Sequence, residues 1–199
     1  MASVPVSRFS LCIYCGSKVG LHEGYEAAAR RVGTIIGERG WQLVYGGGNA
    51  GLMGAVANAT LAAGGRVVGV IPKSLMDREH GHTGLHELHV VDTMHQRKQM
   101  MAERADAFLA LPGGIGTFEE LFEAWTWRQL GYHDKPVGLL NVEGYYDQLL
   151  AFLDHSVAQG FVLPAQRPLL QSSSDPTELL DRLSNDARAA TAPDDYRKI

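Results

Sequence analysis

The sequence predicts an α/β fold, a doubly wound parallel sheet flanked by helices on both faces, and three observations predict it. Short apolar runs rich in β-branched residues alternate with runs of helical period from one end to the other. The connections between them are short, as β-α-β crossovers require. The glycine-rich turns at Gly16, Gly46–Gly48 and Gly113–Gly116 all follow strand-like runs, so a parallel sheet would gather them on one rim.

Phe9–Tyr14 is apolar and β-branched and makes the first strand, with Cys-Gly-Ser after it. Glu23–Arg39 places apolar or small residues at 25, 28, 29, 32, 35 and 36, a helical stripe that Gly40 stops. Trp41–Tyr45 is the second strand and runs into three glycines. Leu52–Ala63 is a small-residue helix, and Arg66–Ile71 is the third strand, ended by Pro72. Lys73–Gly84 is polar and turn-rich, a loop expected to move over an edge of the site. Leu88–Val91 forms a short strand and Thr93–Arg104 a helix. Ala107–Leu111 is the next strand, with Thr117–Leu130 as its helix. Val137–Val142 is a strand and Tyr145–Gln159 a helix, and Leu169–Leu170 a short last strand before the helix Pro176–Ser184. From Asn185 onward little is left to bury, so one domain is expected over 1–185 and a flexible tail over 186–199.

A chain of 199 residues with 45% apolar residues can bury a sizeable core. Net charge is −4, with both signs mixed and no Lys/Arg block, so no nucleic-acid surface is expected. The N-terminal MASVPVSRFS has no apolar run behind its charge and does not read as a signal peptide. No stretch reaches the roughly 18–20 apolar residues of a membrane span, so a soluble, cytoplasmic protein is expected. Cys12 and Cys15 spell C-x-x-C within a strand, where side chains three apart point to opposite faces. One core cysteine and one strand-end cysteine fit that better than a redox pair. His80, His82, His86 and His89 lie in a polar loop and a short strand without ligand spacing, so solvated histidines are expected and no metal or cofactor.

Chemistry concentrates in Leu109–Glu120, L-A-L-P-G-G-I-G-T-F-E-E. Gly113, Gly114 and Gly116 leave the backbone bare, so several N–H groups can converge on one anion beside the positive end of the following helix. The G-K-[ST] ending of a nucleoside-triphosphate loop is missing, which points to a single phosphate, with Thr117 as an added hydroxyl donor. Glu119 and Glu120 are placed in the first helical turn, within reach of whatever the loop holds. Phe118, Leu121, Phe122 and Trp125 form that helix's core stripe, so both carboxylates cannot be buried with it. Trp127 and Leu130 leave the helix apolar on a second side, which suggests a partner chain.

Two further stretches join this one. Gly46, Gly48 and Gly51 spell G-x-G-x-x-G, but the next strand ends in Ile71-Pro72 without the acid that would hold a dinucleotide's ribose; a tight turn lining a mononucleotide pocket fits better. Met94-His95-Gln96-Arg97-Lys98 opens a helix, and Arg97 there serves either as a clamp for ribose or phosphate or as a surface salt bridge. Lys98 points about 100° away from it, toward solvent.

P-G-G-I-G-T-F-E-E, M-H-Q-R-K and Y-G-G-G-N-A-G-L-M-G together closely resemble the LONELY GUY (LOG) family of cytokinin riboside 5′-monophosphate phosphoribohydrolases. The resemblance extends to C-G-S near the start and to T-W-R-Q-L-G-Y-H-D-K-P-V-G-L-L-N, covering roughly residues 9–165. It implies a Rossmann-like homodimer that hydrolyses the N-glycosidic bond of a purine nucleoside 5′-monophosphate to free base and ribose 5-phosphate. By resemblance Arg97 and Glu120 are the catalytic pair, and Gly113, Gly114, Gly116 and Thr117 the phosphate loop. Glu79, Lys98 and Glu119 match substrate-contact positions, and Ser17, Gly46 and Gly47 come with the matching stretches as substrate-binding positions. Family spacing alone puts Glu120 ahead of Glu119. An older lysine decarboxylase label finds no support, since no lysine sits in a recognisable pyridoxal-phosphate setting. Two alternatives stay open: AMP itself as the main substrate, and a non-catalytic nucleotide or molybdenum-cofactor carrier.

Overall fold

The computed structural model describes residues 9–76 and 80–196. Strands β1 (Ser10–Tyr14), β2 (Gln42–Tyr45), β3 (Arg66–Pro72), β4 (Glu87–Val91), β5 (Ala107–Ala110), β6 (Val137–Leu140) and β7 (Leu170–Ser173) form one sheet in the order β4-β3-β2-β1-β5-β6-β7. Every neighbouring pair is parallel. The helices are α1 (Glu23–Glu38), α2 (Gly51–Ala62), α3 (Met94–Glu103), α4 (Ile115–Gln129), α5 (Asp147–Ala158) and α6 (Pro176–Ala189). The predicted doubly wound α/β sheet is therefore what the chain forms.

Alternation along the strands sorts the core into two layers. On β1, Leu11 and Ile13 pack with Val32 and Ile36 of α1, Val56 of α2 and Leu183 of α6. Cys12 and Tyr14 face the other way, toward Met101 of α3, Leu121 and Trp125 of α4 and Leu153 of α5. Cys12 and Cys15 lie in opposite layers as free, buried thiols, so the strand reading of C-x-x-C holds.

Strand order reverses between β1 and β5: β2, β3 and β4 follow on one side and β6 and β7 on the other. The loops leaving β1 and β5 at their carboxyl ends diverge there and open a crevice, the place where such sheets take ligands. Helix α4 begins at Ile115, two residues earlier than its periodicity suggests, with Gly114 as an extended N-cap. The glycine turn thus winds directly into the helix, and Glu119 and Glu120 stand in the second turn rather than the first.

The chain beyond Asn185 corrects the expectation that it has little to bury. Helix α6 continues to Ala189. The backbone N–H groups of Thr191 and Ala192 both donate to Asp134 Oδ2 at 2.8 Å. Tyr196, 6% exposed, lies edge-on to Trp127 at 5.8 Å between centroids, and Asp194 pairs with the buried Lys135 at 2.5 Å. Trp127 is consequently 6% exposed, covered by its own chain, and the apolar face it was expected to offer a partner is reduced to Leu130. Replacing Tyr196 with Ala should cost about 3 kcal/mol of stability by opening a cavity over Trp127. Thermal unfolding checks it: the variant's melting temperature should fall well below that of the parent.

Candidate active site

At the reversal point the two departing loops touch. Gly16 N–H donates to the Pro112 carbonyl at 3.0 Å, and the Gly16 carbonyl accepts from Leu52 N–H, the start of α2, at 3.0 Å. A Cβ on Gly113 would fall 2.1 Å from Thr117 Oγ1 and 2.9 Å from Gly16 N, so only glycine lets the turn fold this tightly against both. The Tyr146 hydroxyl donates to the Leu111 carbonyl at 2.7 Å and the Tyr145 hydroxyl to the Gly113 carbonyl at 2.5 Å, which clamps the loop from the β6 side.

Gly114 and Gly116 differ from Gly113. Among the described residues a Cβ at either would meet nothing within 4 Å, and neither has a left-handed φ, so the packing of those residues does not require glycine there. Their bareness serves the open side of the loop. No side chain caps the start of α4, whereas His22, Thr93 and Asp175 cap α1, α3 and α6. The first N–H groups of α4 therefore face the cleft with the helix's positive end behind them.

That cleft has a volume of about 300 Å³, and Ser17, Arg97, Gly116, Thr117, Glu119 and Glu120 all line it. Met53, Leu75, Met94 and Ile115 give it an apolar side. A second cleft of about 340 Å³ shares Gly16, Ser17 and Gly114 with it and is walled by Tyr25, Leu52 and Tyr145. The second is the slightly larger, but among the described residues no carboxylate lines it.

Arg97 is 4% exposed, and this settles its placement against a surface salt bridge. A reciprocal capping box between Thr93 and Gln96 fixes the first turn of α3. From there Arg97 reaches back over the sheet: Nε donates to the Val70 carbonyl at 3.1 Å and Nη2 to the Gly46 carbonyl at 2.7 Å. A Cβ on Gly46 would lie 2.1 Å from Nη2, so the first glycine of the triple makes room for the guanidinium. Two strand-end carbonyls thus hold one planar cation at the mouth of the cleft.

Lys98 is not solvated as its helical angle suggested. Its ammonium, on a side chain 14% exposed, donates to Glu119 Oε1 at 2.5 Å and to Glu123 Oε1 at 2.9 Å. Burial pulls its pKa down, but the hydrogen bonds and charges of Glu119 and Glu123 together outweigh burial and leave it raised. Tyr14, 4% exposed at the end of β1, has its pKa pushed well above the ordinary phenol value by burial, then by Cys12 and the charges of Glu120 and Glu123. It remains a neutral phenol beneath the acidic face of α4.

Of the sequence-predicted site residues, Arg97, Glu120, Ser17, Gly114, Gly116, Thr117 and Glu119 come together around one cleft. Gly113 and Gly46 support it from behind, as described. Gly47 has φ 78° and its carbonyl accepts from His82 N–H at 2.9 Å, which ties the 80–84 loop to the glycine triple. Glu79 lies outside the described residues. The sequence reading did not assign the apolar side: Met53 and Met94 lie within the quoted motifs and Leu75 in the loop after β3, but nothing local shows that the three face one cleft. It also missed the Tyr145 and Tyr146 clamps. His82 corrects the solvated reading: it is 7% exposed, bonded to Asn58 Oδ1 at 3.0 Å, and burial lowers its pKa. Among the described residues, no group of three His, Cys, Asp or Glu is placed to hold a metal ion, and no helix is long and apolar enough to cross a membrane.

Comparison with known proteins places the chain in a family. A family model described as "Possible lysine decarboxylase" matches residues 53–183. The cytokinin riboside 5′-monophosphate phosphoribohydrolase LOG1 of Arabidopsis thaliana is 50% identical over 180 residues, 90% of this chain and 84% of that protein. The probable cytokinin riboside 5′-monophosphate phosphoribohydrolase LOGL2 of Oryza sativa subsp. japonica is 50% identical over 184 residues, 92% of this chain and 75% of that one. Among solved structures, the Moco carrier protein of Chlamydomonas reinhardtii superposes with a TM-score of 0.67 at 20% identity, covering 90% of this chain and 98% of that chain. At that identity the likeness shows the fold alone. With half its residues shared over nearly all its length, the chain belongs to the LONELY GUY family, whose named members are cytokinin riboside 5′-monophosphate phosphoribohydrolases.

Proposed function

We propose that this protein hydrolyses the N-glycosidic bond of N6-substituted adenine riboside 5′-monophosphates, releasing a free cytokinin base and ribose 5-phosphate. One observation carries the reading: Arg97 and Glu120 line the same cleft as the start of α4, which has no side-chain cap and is bare at Gly114 and Gly116. The 5′-phosphate accepts hydrogen bonds from that turn and from Thr117 Oγ1. This grip is remote from the reacting carbon and positions it. Breaking the C–N bond develops oxocarbenium character on the ribose, as in glycoside hydrolysis. The Glu120 carboxylate stabilises that charge or polarises the attacking water, and Arg97, immobilised by two carbonyls, donates to the ribose or to the departing base. Glu119 is paired with Lys98, and the ranking of Glu120 first rests on the family spacing.

The apolar side formed by Met53, Leu75 and Met94 supports an N6-alkyl base over AMP as the preferred substrate. We also propose a homodimer, on Leu130, Phe152, Phe161 and Leu163, which are 56–90% exposed. A cytoplasmic setting suits the two free thiols. A monomer by light scattering would remove the dimer.

Incubation with AMP and with isopentenyladenosine monophosphate tests the reaction. Free base should form from both, faster from the isopentenyl compound. No base from either would sink the hydrolase reading and favour a carrier. Glu120→Gln should lose about 100-fold or more in turnover while still binding nucleotide. Near-full activity in that variant would mean another group does the chemistry. Gly114→Ala meets no atom of the described residues, so the variant should keep its melting temperature while its affinity for ribose 5-phosphate falls about 10-fold, read by calorimetry.

A further inference from the structure

Arg97 stands on α3 and Glu120 on α4, helices from different crossovers, so their spacing depends on side chains that join the two. Lys98 is such a link. Its Nζ has three N–H donors; one goes to Glu119 at 2.5 Å and one to Glu123 at 2.9 Å. Glu119 and Glu123 are four apart on α4, where like charges repel, and the ammonium lies between them. Glu120 projects from the same two turns, about 100° from Glu119 and near Glu123 in the helical i,i+3 relation.

Glu119 lines the cleft and Glu123 does not. The Glu123 side chain is 22% exposed and Lys98's 14%, so both charges are partly withdrawn from water and act strongly on their neighbours. If Glu123 lost its charge, a flexible four-carbon stem would let the Lys98 ammonium seek the next carboxylate on α4 or a bound phosphate.

On the reading of Glu120 as the reacting carboxylate, we propose that Glu123 is a positioning residue: it tethers Lys98 so that the ammonium pins Glu119 and stays off Glu120. The ammonium is thereby held on Glu119 and Glu123, and Lys98 retains one N–H for a ligand hydroxyl. α3 is thereby anchored on two sides, by Arg97 to the ends of β2 and β3 and by Lys98 to α4. The spacing of the reacting pair follows from both anchors.

A double-mutant cycle on the full chain tests this, with Glu123→Gln, Lys98→Met and the pair together, reading base release from isopentenyladenosine monophosphate and the melting temperature. Glu123→Gln is isosteric and should lower kcat about 10-fold, with KM changed less than about 3-fold. Because Glu123 acts through Lys98, the double variant should be no slower in kcat than the slower single variant. Wild-type kcat in Glu123→Gln overturns the proposal, and so do effects that multiply independently. A kcat loss matched by a large fall in melting temperature would assign Glu123 a structural role and overturn it too. Base release by the parent is measured first: its absence sinks the hydrolase reading and this proposal together, whereas an active parent with an unaffected Glu123→Gln sinks the positioning role alone.

Discussion

Where β1 and β5 lie side by side, the chain leaves them toward opposite faces of the sheet, and the Gly16 N–H to Pro112 carbonyl bond holds the two departing loops together at 3.0 Å. Much of the site hangs from that contact. It sets Ser17 opposite the start of α4, and it fixes how close Gly113 must come to Thr117 and Gly16. The crevice exists because parallel crossovers diverge at a reversal of strand order. The glycines make it narrow enough for backbone N–H groups to act as ligands.

Charge in the crevice is arranged by the same economy of contacts. A cation as deeply buried as Arg97 must have its donors satisfied, and the carbonyls at the ends of β2 and β3 supply two acceptors. This makes the guanidinium a fixed feature rather than a mobile one, suited to meeting charge that develops at one place. Across the cleft, α4 carries three carboxylates within two turns, and Lys98 neutralises part of that density. The glycine end and the acid end of the site are thus kept apart along a single helix: Gly114 and Gly116 at its start, the carboxylates beyond its first turn. Tyr14 beneath them stays protonated and adds no further negative charge.

Much of this was legible in the sequence. Each strand and helix begins within a few residues of its expected start, though α6 runs on past Ser184 to Ala189, because the periods of 2 and 3.6 are local properties of the chain. The loop P-G-G-I-G-T was readable as an anion site because bare backbone followed by a helix start is itself a local signal. Lys98 was misread for an instructive reason. Helical angle tells which way a side chain leaves its own helix, and nothing in that angle says that α4 lies there with two carboxylates. Trp127 and Tyr196 failed the same way: an apolar residue on an extra helix face reads as exposed until a segment 69 positions later is seen to cover it.

By itself the sequence determined the fold class, the strand after which each glycine turn falls, and the residue types able to hold a phosphate and stabilise a sugar cation. Those follow from periodicity and from the chemistry of single side chains. Only the tertiary structure decided that Arg97 is buried rather than on the surface, that Gly114 and Gly116 are bare toward open space while Gly113 is bare toward Thr117, and that Lys98 belongs to Glu119 and Glu123. Each of those is a relation between segments distant in sequence, set by which loops the reversal between β1 and β5 brings face to face.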